Sequence, residues 1–320
     1  MAGRRRKKSG GRSYAWRYRG RIVACVFVEV IIICALVIMI GWNKGVKEWF
    51  EQFEQPVLKE VDISGINSPN AILMQARGGK ILGEINGEAQ IYPASMTKIM
   101  TVILGIENFD DLDEKITLTN EMFSGLYEQD ATQAGFQPGE EVRVIDLLYG
   151  AMLPSGAECC IALADTISGS EADFAELMNK KARKLGMENT HFCDSTGLHN
   201  PDHYSTVKDI AVLMKYCIKN DTFREIVETS RHSTGVTNIH PDGITYYSTM
   251  FKNLSDPTVT GGKILGGKTG YTSEAGHCLV SFAEIEGREY IFVSAGASGA
   301  DGNTIPHIQD AVTVYSLSLI

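Results

Sequence analysis

Residues 92–101 read Tyr-Pro-Ala-Ser-Met-Thr-Lys-Ile-Met-Thr, and the chain stays almost continuously apolar from there to Ile106. The run predicts a helix, and residues three apart on a helix share a face. Lys98 then lies one turn along from the Ser95 hydroxyl. A serine is a weak nucleophile until a neighbouring base takes its proton. A lysine held in apolar surroundings has its pKa lowered toward the range in which it is that base. Pro93 stops the chain just before the helix, which leaves Ser95 in the first turn among free backbone N–H groups that favour negative charge. A Ser-x-x-Lys spacing is common, so the rest of the chain has to decide whether this one is chemical.

Two further elements follow in order. The stretch 142–167 has helical character but is broken at Leu153-Pro-Ser-Gly156, because proline followed by Ser-Gly does not sit inside a helix. Ser155 therefore falls in a tight loop between two helices, with Ala157 two residues on. Near the end, Lys268-Thr-Gly270 lies in a strand-like run preceded by Gly266-Gly267. Such glycines suit a strand that another backbone approaches closely. Ser-x-x-Lys, a Ser-x-Asn-type element and Lys-Thr-Gly, in that order, form a known active-serine set.

The remaining pattern frames these motifs. Strands are expected at Ala71–Arg77 and Lys80–Ile85 around a Gly78-Gly79 turn, with a short one at 114–118. Helices are expected at Glu171–Leu185, closed by Gly186, and at Thr206–Asn220 with Thr206 as cap. After residue 230 strands return at 264–271, 278–285 and 290–296, with a turn at Glu286-Gly287-Arg288, and a last helix at Ile308–Ile320. Strands at both ends and helices between them imply an α+β domain whose antiparallel sheet is built from both ends of the chain and flanked by helices.

The 320 residues carry 30 basic and 39 acidic side chains, a net charge of −9, but the charge is uneven. Residues 1–21 hold nine Lys or Arg and no acid, leaving 21 basic against 39 acidic residues, or −18, for the rest. Residues 22–41, IVACVFVEVIIICALVIMIG, are long enough to cross a bilayer as a helix. The basic cluster ahead of them belongs on the cytoplasmic side and places the chain beyond Trp42 outside. Gly41-Trp42-Asn43-Lys44 offers no signal-peptidase site, so an uncleaved anchor is expected rather than a leader. The organisation read from sequence is a basic cytoplasmic arm at 1–21, a transmembrane anchor at 22–42, a stalk at 43–70 and a catalytic domain at 71–320. With the span directly after it, the arm is a topology signal and not a nucleic-acid patch. The seven cysteines fit neither a disulfide framework nor a zinc site, and they are read as small buried hydrophobes. His199, Asp202 and His203 have ligand-like spacing, but Asn200-Pro201 puts them in a loop with no companion cluster, so no metal and no cofactor is expected.

Beyond its motifs, the chain closely resembles the low-molecular-weight penicillin-binding proteins that act as D-alanyl-D-alanine carboxypeptidases. The matching text is PASMTKIMT, GEEVRVIDLLYGAMLPSGAE, FAELMNKKARKLGMENTHF, HYSTVKDIAVLM and GGKTGYT, within about residues 70–320. The resemblance implies the penicillin-binding protein/β-lactamase-like transpeptidase fold. It also implies Ser95 as nucleophile, Lys98 as base and Ser155 as proton relay toward the leaving D-alanine. Lys268 and Thr269 would hold the substrate carboxylate, Gly270 would allow close approach, and the backbone N–H groups of Ser95 and Tyr271 would form the oxyanion hole. The implied partners are peptidoglycan stem peptides ending in D-Ala-D-Ala, β-lactam antibiotics as covalent inhibitors, and the membrane. The sequence departs from the family pattern at Ala157, where Asn is usual, and at Tyr271, where His is common. It stops at Ile320, whereas many members add a C-terminal β-domain and anchor. A β-lactamase of the same fold, or a silent cell-wall binder, are the alternatives; no class A general-base glutamate motif is evident, and Ala157 keeps the second open.

Overall fold

The computed structural model describes residues 59–299, 305–317 and 319. The basic arm, the expected anchor at 22–42 and most of the expected stalk lie outside them. Along the chain, strand β1 (Asn70–Gln75) turns back into β2 (Ile81–Ile85). A 3-10 turn, Ala94–Thr97, runs directly into helix α1 (Lys98–Asn108). The short strands β3 (Lys115–Thr117) and β4 (Glu141–Arg143) pair antiparallel. Helices α2 (Val144–Met152), α3 (Ala157–Ser168), α4 (Glu171–Leu185), α5 (Val207–Cys217) and α6 (Asp221–Glu228) come next. The small ribbon of β5 (Arg231–Ser233) and β6 (Thr245–Tyr247) and helix α7 (Thr249–Asn253) lead to β7 (Thr258–Val259). Three long strands, β8 (Gly262–Thr272), β9 (Gly276–Ile285) and β10 (Arg288–Ala297), precede the last helix, α8 (Pro306–Tyr315).

The main sheet is antiparallel with strand order β2-β1-β10-β9-β8-β7. The first two strands join through β10, so both ends of the described chain meet in one sheet. Alternate side chains of a strand face opposite sides. Ile72 and Met74 of β1 accordingly enter the large core shared with the helices, while Ala71 and Leu73 enter a second core. That second core is covered by Val314 and Tyr315 of α8 and by Met250 of α7. Helix α1 runs through the large core, and all of its residues from Lys98 to Gly105 are buried. This is why its sequence is apolar without a polar face.

Several expected boundaries move for local reasons. Asn220, expected as the last residue of one helix, instead caps the next: its side chain accepts from the N–H of Phe223 and starts α6, a helix not expected from the sequence. The final helix begins at Pro306, two residues before the expected start, with the proline at its first turn. Residues 61–68, ahead of the expected boundary at 71, pack onto the domain. Within the end of the expected stalk, the Val61 N–H donates to the carbonyl of Leu82, and Ile63 is buried in the second core. Asn67 and Ser68 both donate to the buried Asp310 carboxylate of α8. Among the described residues no helix is long and apolar enough to cross a membrane.

Candidate active site

Ser95 sits in the 3-10 turn that leads into α1, one step earlier than the first α-helical turn the sequence suggested. Ala94 before it has φ +47°, a conformation an alanine adopts only under constraint. The constraint is visible in the packing. A side-chain carbon added at Gly270 of β8 would come within 3.0 Å of the Ser95 backbone nitrogen and 3.1 Å of the Ala94 Cβ. On the other side, one at Gly197 would lie 1.9 Å from the Ala94 carbonyl oxygen. The serine turn is thus held between strand β8 and the loop at 194–197. The close approach at Gly270 is therefore already taken up by the serine turn, and that at Gly266 by the backbone of α6, where a Cβ would meet the Val227 carbonyl at 2.4 Å.

Lys98 is 3% exposed, and its Nζ donates to Ser95 Oγ at 3.0 Å and to the Thr196 carbonyl at 2.6 Å. Burial pushes the amine below its ordinary pKa; Cys160, Asp194, Glu158 and Cys159 pull part of the way back. Lys268, on β8, is 1% exposed. Burial, and then the like charge of Lys98, push its amine well below the usual lysine range. Its Nζ donates to the Thr269 carbonyl at 2.8 Å, and the Thr269 hydroxyl pairs with that of Thr249 at 2.7 Å. Burial thus favours the neutral amine at both lysines, and one of them touches a serine hydroxyl.

Ser155 lies in the loop between α2 and α3, as its motif requires. It is buried with φ +73°, a left-handed conformation that costs a non-glycine residue about 1–2 kcal/mol. Two backbone bonds beside it hold the turn: the Gly156 N–H donates to the Gly150 carbonyl and the Ala157 N–H to that of Thr132, both at 2.8 Å. The Ser155 hydroxyl is buried without a hydrogen-bond partner, so no direct bond joins it to Ser95 or Lys98. Ala157 is buried at the first position of α3. Glu158, raised in pKa by burial, makes no hydrogen bond to Ser95 or Lys98; its Oε1 accepts the N–H groups of Ala134 and Gly135 at 2.6 and 2.9 Å, and its Oε2 is buried without a partner. Tyr271 continues β8 and is 61% exposed, its ring centroid 4.6 Å from that of His277.

Three contributors to this geometry carry no signal in the sequence, the Thr196 carbonyl, Asp194 and Thr249, and a fourth, His203, stands out there only by its ligand-like spacing. Only the clustering of Asp and His at 191–206 marked the region. His203 turns inward onto Thr97 and Asp194, while His199 packs on Tyr92, so the two do not converge as metal ligands. Four of the five described cysteines are buried and all five are free, as small apolar residues would be; Cys193 is partly exposed.

A serine at a helix start, a lysine one turn on and a sheet strand along its flank form the arrangement that serine acyl-transfer chemistry requires. Residues 57–299 match the family model of peptidase family S11, D-alanyl-D-alanine carboxypeptidase, and the chain belongs to that family. It is similar to D-alanyl-D-alanine carboxypeptidase DacF of Bacillus subtilis, 35% identical over 231 residues covering 72% of this chain and 57% of that protein. DacC of Escherichia coli is 33% identical, with 74% and 58% covered. The chain thus spans less than three-fifths of the length of these two curated relatives. The Streptomyces K15 DD-transpeptidase superposes with a TM-score of 0.69 at 28% identity, covering 81% of this chain and 99% of that one. Penicillin binding protein 5 from Haemophilus influenzae superposes with a TM-score of 0.67 at 27% identity, covering 77% and 69%.

Proposed function

We propose that the chain is a serine-type D-Ala-D-Ala carboxypeptidase, tethered to the cell membrane by residues 22–42 with residues 1–21 in the cytoplasm, that trims peptidoglycan stem peptides on the outer side. The observation that carries the reading is the 3.0 Å bond between Lys98 Nζ and Ser95 Oγ in a site where burial favours the neutral amine. Ser95 Oγ attacks the carbonyl of the penultimate D-alanine as its proton passes to Lys98. The oxyanion that forms is met by the backbone N–H groups of Ser95 and Tyr271, donors of a kind that contribute about 3–4 kcal/mol apiece in such holes. Collapse breaks the peptide bond, the leaving nitrogen takes a proton through Ser155, and D-alanine departs. Water then hydrolyses the ester on Ser95. Lys268 and Thr269 hold the substrate carboxylate, with the peptide lying along β8 as an added strand.

The test uses the purified full chain, a labelled penicillin and a stem peptide ending in D-Ala-D-Ala. A long-lived adduct on Ser95 together with D-alanine release is the expected outcome. Rapid turnover of penicillin would make the protein a β-lactamase instead, and neither adduct nor release would make it a silent binder.

A further inference from the structure

We propose that Asp194 and His203, which belong to none of the three motifs, are positioning residues that grip the Ser95–Lys98 turn from two sides, through Thr196 and through Thr97. The proposal rests on the reading of Ser95 as nucleophile and Lys98 as its base.

The geometry is a closed ring. Thr97 lies between the two reactive residues, fully buried, and its hydroxyl pairs with His203 Nε2 at 2.9 Å. His203 is 2% exposed, its ring edge-on to Phe192, and its Nδ1 lies 3.1 Å from Asp194 Oδ2. The other oxygen, Oδ1, accepts three bonds: the Thr196 N–H at 2.7 Å, the Thr196 hydroxyl at 2.7 Å and the Gly197 N–H at 2.6 Å. Thr196 then returns to the site, because its carbonyl is the 2.6 Å acceptor of Lys98 Nζ. A second clamp backs the same loop: Thr101 donates to the Ser195 carbonyl at 2.6 Å, and Glu171 accepts from the Ser195 hydroxyl at 2.6 Å. One carboxylate thereby fixes both the carbonyl that holds the base and the histidine that holds the turn carrying it.

Asp194 also acts through its charge. Burial would raise its pKa, but His203, Thr196 and Gly197 hold it at about 2, so it is ionised whenever the enzyme works. The groups that face Lys98 are Asp194 from the loop, Glu158, Cys159 and Cys160 from α3, and Lys268 from β8. Asp194 is ionised, whereas burial keeps the Cys160 thiol protonated up to about 12 and raises the Glu158 carboxyl. Asp194 therefore opposes the loss of the Lys98 proton, and removing its charge makes Lys98 neutral at lower pH.

The experiment reads Lys98 directly. NMR on isotope-labelled lysine side chains of the full chain gives its titration midpoint, the resonance being assigned by its loss in Lys98→Ala. In parallel, the acylation rate of Ser95 by labelled penicillin is followed against pH. In Asp194→Asn the midpoint and the rising limb of the acylation profile both move down by about half a pH unit or more, and the plateau falls roughly ten- to a hundredfold from lost positioning. His203→Ala loses plateau rate, and His203→Gln, which keeps polar atoms on that side, recovers most of it. An unchanged Lys98 midpoint in Asp194→Asn overturns the proposal. If that variant does not fold, equal rates in His203→Ala and His203→Gln overturn it instead. A wild-type protein with no adduct on Ser95 removes the carboxypeptidase reading, while the NMR titration still decides the ring.

Discussion

Lys98 has two properties that pull apart. As an amine buried at 3% exposure it is a poor contributor to stability, since a charge there lacks water and meets no salt bridge among the described residues. In the proposed role as base for Ser95 it would be indispensable. Lys98→Ala is therefore expected to cut the acylation rate by roughly a thousandfold while shifting the melting temperature by no more than about 5 °C. Labelled-penicillin time courses and thermal melts on the same preparation check both halves, and normal acylation in that variant would remove Lys98 from the base role. The pairing of Ser95 with Lys98 was legible in the sequence because an i, i+3 spacing at a helix start is a local fact. The acceptor of the lysine was not, because any residue supplies a backbone carbonyl. Thr196 reaches Lys98 only through the fold of a loop 98 positions further along.

Helix α8 shows the same contrast at the scale of an element. It is expected from the sequence as a last helix, and its apolar face covers the second core. What the pattern did not show is that a buried histidine lies on that face. His307 stacks on His277 of β9 with ring centroids 5.0 Å apart, and its Nδ1 is buried without a partner. Burial, and after it the neighbouring His277, pushes its pKa down to about 4. The unfolded chain takes up that proton near the ordinary histidine value of about 6.5, so below that pH the unfolded state binds more protons than the folded one. Stability is then fully present above about pH 6.5 and is lost as pH falls toward 4, by about 3 kcal/mol in all. Urea titrations between pH 7 and 4 should show this loss, and His307→Phe should flatten it. A slope unchanged in His307→Phe would assign the acid sensitivity elsewhere. Helix α6 went unread for a related reason: its start depends on the Asn220 cap, and Asn at that point also reads as the end of the preceding helix.

At the scale of the molecule, strands from both ends of the sequence meet at the β1–β10 pairing, so the placement of Ser95 against β8 depends on a sheet closed only when the chain is complete. The order of strands and helices was enough to see that architecture. The near boundary was not, because residues 59–69 look like a polar linker yet fasten the domain. They bury Ile63 against the second core, add a backbone bond to β2 through Val61, and supply the Asn67 and Ser68 partners of Asp310. A chain beginning at Leu58 keeps all of these contacts. It is expected to unfold in a single transition and to form the same adduct on Ser95 as the full chain. A chain beginning at Ala71 loses about 2 kcal/mol from Ile63 and leaves the 1% exposed Asp310 carboxylate without four hydrogen bonds, a further cost of a few kcal/mol. Against a total stability of about 5–15 kcal/mol, that is enough to halve it or abolish folding. Denaturant curves on the two truncations separate the boundaries. Equal stability would return residues 59–69 to the stalk, whereas a deficit of several kcal/mol in the shorter chain makes them part of the domain's packed unit.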